Sequence, residues 1–339
     1  MAEIAVIYRY AQGGNGKRRP AFFSKELALA SFLRSVRTAR EAGTDVEVHF
    51  LVDGGAPEPV LTTMRDAGEV LLGSFGSNRA SYLEQIRCVV DGAVGAVGAG
   101  FVWFSEDDYL YGEHAFVELA AAVAALPAVD YFALTNSTLV ERLECRRAQT
   151  AVEVPPLPVA DPTVRGRRWR PIASTTSTFG ARRAALVEDA RILRAAPWSG
   201  AAWDRTTLLA VQGLRPYPWR SIARDLVVAS SPPRHRLLRS AWKLGTRALL
   251  DVLAVRPPGR RRALAAPPTE LIAHLELPFE AHEEHWLAAA RRAGVVGRDE
   301  FPALFRGIAG PERATPAFPA PRRPGAPRST PVAGPAPGR

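Results

Sequence analysis

The chain has 339 residues, of which 47% are hydrophobic, and a formal net charge of +10. This size and hydrophobic content predict a globular protein with one large domain or two smaller ones. Cys88 and Cys145 are the only cysteines, which excludes both a disulfide framework and a cysteine-based zinc site.

The positive charge comes almost entirely from arginine. Of 44 basic residues, only Lys17, Lys25 and Lys243 are lysines. Arginine in this excess, beside abundant Ala, Gly and Pro, is typical of a GC-rich bacterial genome. The charge is therefore weak evidence for a nucleic-acid partner, and none is expected.

The sequence shows no sign of membrane insertion or export. No apolar run reaches the roughly 18 to 20 residues that a spanning helix requires. The N-terminus also lacks the basic region and cleavage site of a signal peptide. A cytoplasmic location is the expectation.

The first 135 residues alternate between strand and helix patterns, which predicts an α/β fold with a mainly parallel, Rossmann-like sheet. Predicted strands cover residues 4–10, 46–52, 69–72, 101–104 and 131–134. A helix face follows the first strand, with Leu29, Phe32, Leu33 and Val36 at helical spacing. Ser81 and Glu84 have the spacing of a capping box, which predicts a helix start there. A further helix is predicted over residues 114–126.

The rest of the chain is less regular. Residues 136–180 include a Pro-rich stretch and a basic cluster, which favour a loop at an acceptor or donor site. Residues 236–255 form a basic amphipathic helix. Packing against the catalytic domain is the favoured interpretation, and contact with the inner face of a membrane is the alternative. The tail, rich in Pro and Arg, is predicted to be disordered.

Three consecutive carboxylates, Glu106, Asp107 and Asp108, follow the strand at 101–104. They repel one another unless a cation offsets their charge, so a divalent ion is one interpretation. In an extended segment Glu106 and Asp108 can face one site while Asp107 turns toward the fold or the substrate. A solvated turn or a helix N-terminus explains the run equally well.

The segment FVWFSEDDYL at residues 101–110 resembles the strand and metal-binding motif of family-2-like glycosyltransferases, in the subgroup whose motif reads EDDY. RPIASTTSTF at 170–179 is similar to that subgroup's ST-x-TF segment, Asp189 follows at similar spacing, and residues 267–276 resemble its P-x-x-LxTHxE element. The resemblance covers about residues 4–290.

The resemblance implies a GT-A fold with four regions. These are a nucleotide-sugar-binding half (1–135), an acceptor-binding half (136–232), a C-terminal helical extension (233–305) and a disordered tail (306–339). It also implies a nucleotide-diphosphate-sugar donor, a divalent cation (Mn²⁺ or Mg²⁺), and a hydroxyl-bearing acceptor. That acceptor could be a glycan, a lipid carrier or a small metabolite. Transfer in this family commonly inverts the anomeric carbon.

Site residues follow from the same resemblance. Asp53 would bind the base or ribose, with Tyr8 or Arg9 nearby, and Arg79 would lie near the diphosphate. Glu106 and Asp107 would contact the donor. The implied metal ligands are Glu106, Asp108 and His274, with His235 as the competing histidine.

The general base is expected about a hundred residues after the metal motif. Asp204 fits this place, although Trp203 stands where the family often has Glu. The acidic pair Glu188–Asp189 is the second choice. A base there would remove the proton of the acceptor hydroxyl.

Two other functions predict different sequence features. A sugar-phosphate nucleotidyltransferase should carry a G-x-G-T-R-like signature after its first strand, whereas here Tyr8-Arg9-Tyr10 comes first and the glycines at 13–16 come later. A basic nucleic-acid-binding protein would use the arginines at 165–170 and 260–262. It lacks a recognisable binding motif.

Overall fold

The computed structural model describes residues 3–13, 19, 23–92, 100–135, 153–200, 203–217 and 234–275, with side chains of the last range from residue 241 onward. These residues all belong to Met1–Ile308, one compact unit. They form an α/β fold around an eight-stranded mixed sheet of order β3-β2-β1-β4-β10-β6-β11-β9. The predicted α/β class with a mixed sheet is confirmed.

The first half of the sheet is parallel. Its elements are β1 (Glu3–Ala11), α1 (Lys25–Glu41), β2 (Asp45–Asp53), α2 (Glu58–Ala67), β3 (Glu69–Gly73), α3 (Asn78–Val90) and β4 (Phe101–Glu106). In the register, Ala11 lies opposite Asp53 on β2, and Arg9 lies opposite Glu106 on β4. The carboxyl ends of these strands, where polar side chains follow each apolar run, therefore meet at one edge.

The second half is built from short elements. They are β5 (Tyr109–Tyr111), α4 (Ala115–Ala125), β6 (Tyr131–Phe132), β7 (Thr163–Val164), β8 (Arg167–Arg168), β9 (Arg170–Pro171), β10 (Phe179–Arg182), α5 (Arg183–Glu188), α6 (Ala190–Ala195), α7 (Trp203–Val211), α8 (Arg234–Ala254), β11 (Leu264–Ala266) and β12 (Ile272–His274). Strand β10 runs antiparallel between β4 and β6. Strands β5 and β12 pair separately, as do β7 and β8.

Both faces of the sheet are covered, and alternating residues of β1 enter different cores. Tyr8 packs on Phe32 and Phe50 on one side, whereas Ile7 belongs to the core on the other side. This pattern is expected for a parallel sheet with helices on both faces. Gly180 of β10 is required by close packing, because a Cβ atom there would lie 2.5 Å from the Phe101 ring.

Asp189, between α5 and α6, is fully buried and joins three parts of the chain. Its carboxylate accepts hydrogen bonds from the Tyr131 hydroxyl at 2.8 Å and from Arg262 Nε at 3.0 Å, and it forms an ion pair with Arg256. The residue that sequence analysis ranked second as a base is therefore enclosed by two arginines and has a structural role.

Most predicted elements are found within a few residues of their expected bounds. The predicted start of α3 is wrong, because Ser77 is its N-cap and accepts from Ala80 N, while the Ser81 hydroxyl donates to the Asn78 carbonyl inside the helix. The sheet includes strands from all three regions that were predicted to be folded (1–135, 136–232 and 233–305), and the boundaries between these regions stay a prediction. The predicted disordered tail, residues 306–339, lies outside the described residues. No helix in the described ranges is long and apolar enough to cross a membrane.

Candidate functional site

A cavity of about 560 Å³ lies at the carboxyl ends of β1, β2 and β4, beside the N-terminus of α3. It is lined mainly by charged and polar residues: Arg9, Gln12, Arg19, Lys25, Asp53, Ser77, Asn78, Ser81, Glu106, Asp107 and Asp108. Its size lies within the range of small-molecule sites. All three carboxylates of the acidic run line the cavity. Asp107 is among them because Asp107 and Asp108 lie in a turn after β4, where side chains no longer alternate as they do in a strand.

Arg9 and Glu106 form a buried ion pair across neighbouring strands. Arg9 also donates to Asn78 Oδ1 at 2.7 Å and to Ser81 Oγ at 3.0 Å, which fixes the guanidinium against α3. Burial raises the pKa of Glu106 to about 7, although Arg9 opposes this. Of the two predicted candidates on β1, Arg9 faces the cavity, and Tyr8 faces the core because successive side chains alternate.

Asp107 pairs with Lys25, the first residue of α1. The Lys25 Nζ atom lies 2.7 Å from Asp107 Oδ2, which also accepts from Ala11 N at 3.0 Å. Burial raises the pKa of Asp107, and Lys25 opposes the rise. Ser24 caps this helix, because its Oγ atom accepts a 3.0 Å hydrogen bond from Leu27 N. The position of Lys25 is therefore set by a defined helix start.

Asp108 lies between Arg19 and His274. Its Oδ2 atom is 3.0 Å from Arg19 Nη1 and 3.4 Å from His274 Nε2. Burial alone would raise the pKa of Asp108, but His274 and Arg19 together lower it below its usual value. Pairing of β12 with β5 places His274 opposite Tyr109, whose ring is stacked on the imidazole with centroids 4.5 Å apart.

The second carboxylate oxygen of Asp108 is buried and has no hydrogen-bond partner among the described residues. A buried carboxylate oxygen without a donor is costly unless a cation contacts it. The oxygen and the adjacent imidazole are suitable ligands for a divalent metal. No group of three His, Cys, Asp or Glu side chains in the described ranges is arranged to hold a metal alone, and Glu106 is turned toward Arg9.

The remaining predicted residues lie at different distances from this centre. Asp53 lines the cavity, and its Oδ1 atom accepts from Phe75 N at 2.7 Å. Arg79 does not line the cavity. It is exposed, and its guanidinium lies 4.6 Å from the ring centroid of Trp198. The side chain of His235 lies outside the described residues.

Asp204 lies in the first turn of α7, next to Trp203, whose ring packs on Tyr82 with centroids 4.3 Å apart. Burial raises the pKa of Tyr109 and of Glu106, and the charge of Asp204 adds a smaller rise to each. Asp204 is therefore near enough to the acidic run to affect its electrostatics.

Arg9 was predicted from the sequence, but two other cations of the site, Arg19 and Lys25, were not. Arg19 and Lys25 each contact one carboxylate of the run, and Asn78 holds Arg9. One signal was available, because three adjacent carboxylates require basic partners and Lys25 is one of three lysines in the chain. The sequence did not show which basic residues would fold against them.

No protein-family model and no curated protein sequence matches this chain. Among solved structures it is similar to S. aureus TarS, with 14% identity, a TM-score of 0.36, and coverage of 72% of this chain and 71% of that chain. It is also similar to glucosyl-3-phosphoglycerate synthase from Mycobacterium tuberculosis in complex with Mn²⁺, UDP-glucose and phosphoglyceric acid. Here the identity is 12%, the TM-score 0.36, and the coverage 88% of this chain and 82% of that chain. At these TM-scores the similarities do not identify the activity, which is inferred below from the chain's own residues.

Proposed function

We propose that this chain is a metal-dependent glycosyltransferase of the GT-A type that transfers a sugar from a nucleotide-diphosphate sugar to an acceptor hydroxyl. The observation that carries the proposal is the buried oxygen of Asp108, which has no partner in the part of the chain that the structure describes and lies beside His274 at the wall of a polar cavity. The motifs around residues 101–110, 170–179 and 267–276, which resemble those of family-2-like enzymes, support the same function.

The donor would occupy the cavity with its nucleotide toward Asp53 and its diphosphate toward the acidic run. Asp53 is held by the Phe75 amide, which keeps one carboxylate oxygen oriented at the end of β2. Lys25 and Arg19 line the same cavity and would offset phosphate charge. Arg79 would have to leave Trp198 to reach the diphosphate, so Arg19 and Lys25 are the better candidates for this role.

Asp108 and His274 would hold a divalent cation, Mn²⁺ or Mg²⁺, and oxygens of the diphosphate would complete its ligands. When bound, the cation stabilises negative charge on the departing diphosphate. Glu106 is the least suited of the three predicted ligands because Arg9 already neutralises it. Its role would be to hold Arg9, which in turn contacts the N-terminus of α3 at the cavity wall.

Asp204 would act as the base that accepts the proton of the acceptor hydroxyl as that oxygen attacks the anomeric carbon from the side opposite the diphosphate. This geometry inverts the anomeric carbon. The enclosed Asp189 cannot take this role, because Arg256, Arg262 and Tyr131 occupy its carboxylate.

Asp204→Asn should keep the size of the side chain and remove its basicity. We expect kcat to fall by roughly a hundredfold to ten-thousandfold with little change in donor affinity, as is usual for loss of a general base. Glu188→Gln, at an exposed carboxylate in the rival acidic pair, is the matched control and should retain activity. A reversed result, with loss only in Glu188→Gln, would refute the assignment of Asp204.

The proposed function is tested by incubating the full chain with a panel of sugar nucleotides, with and without Mn²⁺. We expect release of nucleoside diphosphate from one donor, dependent on the metal. The same donor should raise the unfolding temperature by mass action, because it binds only the folded state. Formation of pyrophosphate from a sugar phosphate and a nucleoside triphosphate, with no release from any sugar nucleotide, would instead indicate a nucleotidyltransferase.

A further inference from the structure

The exposed face of α8 is apolar along the whole part whose side chains are described. Trp242, Leu249 and Val252 are 62%, 49% and 68% exposed, and they follow one another at helical spacing. Ala241 and Gly245 are the other exposed residues between positions 241 and 252. A helix face in water normally carries charged or polar side chains, so this face is suited to a contact that removes it from water.

The fold does not need this apolar strip, because α8 packs through a different face. Leu250 and Ala254 are fully buried there, and the Asp251 carboxylate accepts a 3.0 Å hydrogen bond from Tyr217 N. The helix thus has one strip that attaches it to α7 and its neighbours and a second strip that faces outward.

The outward strip borders a shallow groove of about 530 Å³ lined by Ala195, Trp198, Ala241, Trp242, Gly245, Thr246 and Leu249. The Trp198 and Trp242 rings meet edge to face with centroids 6.2 Å apart. The Thr246 hydroxyl donates to the Trp242 carbonyl at 2.9 Å, so the polar side chain in this lining is already engaged. The groove therefore suits an apolar ligand better than a sugar or a nucleotide, which would need several hydrogen-bonding groups.

A basic residue lies at the edge of this apolar surface. Arg79 is exposed and stacked on Trp198, whereas Arg247 turns to the other side of α8, where it donates to the Ser199 carbonyl at 3.1 Å and lies over the Tyr217 ring. The sequence of α8 also includes Arg234, Arg236 and Arg239, while its one acidic residue, Asp251, is buried.

We propose that Trp198 and the outward strip of α8 form a docking face for the surface of an anionic lipid bilayer. Tryptophan side chains favour the headgroup level, the aliphatic side chains would enter the boundary of the acyl chains, and Arg79 and the arginine-rich first half of α8 would contact acidic headgroups. The inference is independent of the proposed catalytic activity.

Vesicle co-sedimentation of the full chain tests this proposal. We expect binding to vesicles of phosphatidylcholine mixed with phosphatidylglycerol, little binding to phosphatidylcholine alone, and weaker binding as the salt concentration rises. The double variant Trp242→Ser, Val252→Ser should lower the partition coefficient by about tenfold or more, since it removes buried apolar area from the contact. Arg79→Glu should also weaken binding to the mixed vesicles, because Arg79 is the exposed cation stacked on Trp198.

The control is the double variant Leu72→Ser, Val187→Ser, which changes two apolar residues that are 61% and 41% exposed elsewhere. It should bind vesicles like the unchanged chain. Thermal unfolding and Asp108→Ala provide further controls, because the docking variants should remain folded and the site variant should still bind vesicles. Absence of binding to anionic vesicles, or equal losses in both double variants, would overturn the proposal. Self-association that the Trp242 variant abolishes, without vesicle binding, would instead assign the face to a second copy.

Discussion

Replacing Asp108 by alanine is expected to lower kcat/KM for release of nucleoside diphosphate by at least about a hundredfold, the size of effect seen when a main electrostatic group is lost. Asp108 provides the buried oxygen that lacks a hydrogen-bond donor among the described residues, and it is the partner of His274. Without the carboxylate, one proposed metal ligand is absent and the second, His274, loses the side chain that it contacts. The measurement is steady-state release at several Mn²⁺ concentrations.

The same variant should lose the part of the donor-induced rise in unfolding temperature that depends on Mn²⁺. Asp91→Ala is the matched control, because Asp91 is 48% exposed at the end of α3 and forms only long ion pairs with Arg87 and Arg194. This control should keep both the activity and the thermal shift. Full activity in a folded Asp108→Ala protein would show that the metal assignment is wrong.

The largest effect on stability is expected at Asp189. Asp189→Ala leaves Arg256 and Arg262 without their buried carboxylate and removes the acceptor of the Tyr131 hydroxyl. Breaking one side of a buried ion pair typically costs about 3–5 kcal/mol. We therefore expect the free energy of unfolding, measured by urea denaturation, to fall by about this amount.

Asp161→Asn serves as the comparison, because Asp161 is also paired with an arginine, Arg168, but is 75% exposed, and asparagine tolerates the left-handed backbone at this position (φ 45°). An exposed pair contributes about 0–1 kcal/mol, so this variant should unfold at nearly the same urea concentration as the unchanged chain. If the two variants were equally stable, the buried network would not be what joins α5 and α6 to the C-terminal segment.

The parallel half of the fold could be predicted from the sequence because its strands are mainly apolar segments that end in polar or turn residues. Residues 4–10 and 46–52 are the centres of β1 and β2, and their side chains are buried with the exception of Glu47. The long helices α1 and α8 were visible for a similar reason, since their apolar residues repeat at helical spacing over several turns.

In the other half, β6 and α4 were predicted, but the remaining strands could not be. Strands β9, β11 and β12 have two or three residues, too few to show a period, and their pairings join distant segments. The acidic run was recognised because its three members are adjacent. Two of its partners, Arg19 and Lys25, were not recognised, since Arg19 and Asp108, for example, are 89 positions apart and meet only after the sheet has formed. His274 was found only through the family resemblance.

The antiparallel insertion of β10 has a consequence for the order in which the chain can fold during synthesis. Until residues 179–182 leave the ribosome, the outer edge of β4, with Phe101, Trp103 and Phe104, has no neighbour. Strand β6 pairs with the same residues on one side and with β11 on the other, so it also has no neighbour until they are synthesised. The nascent chain therefore displays an aromatic sheet edge over a long stretch of translation, the kind of surface that chaperones protect from aggregation.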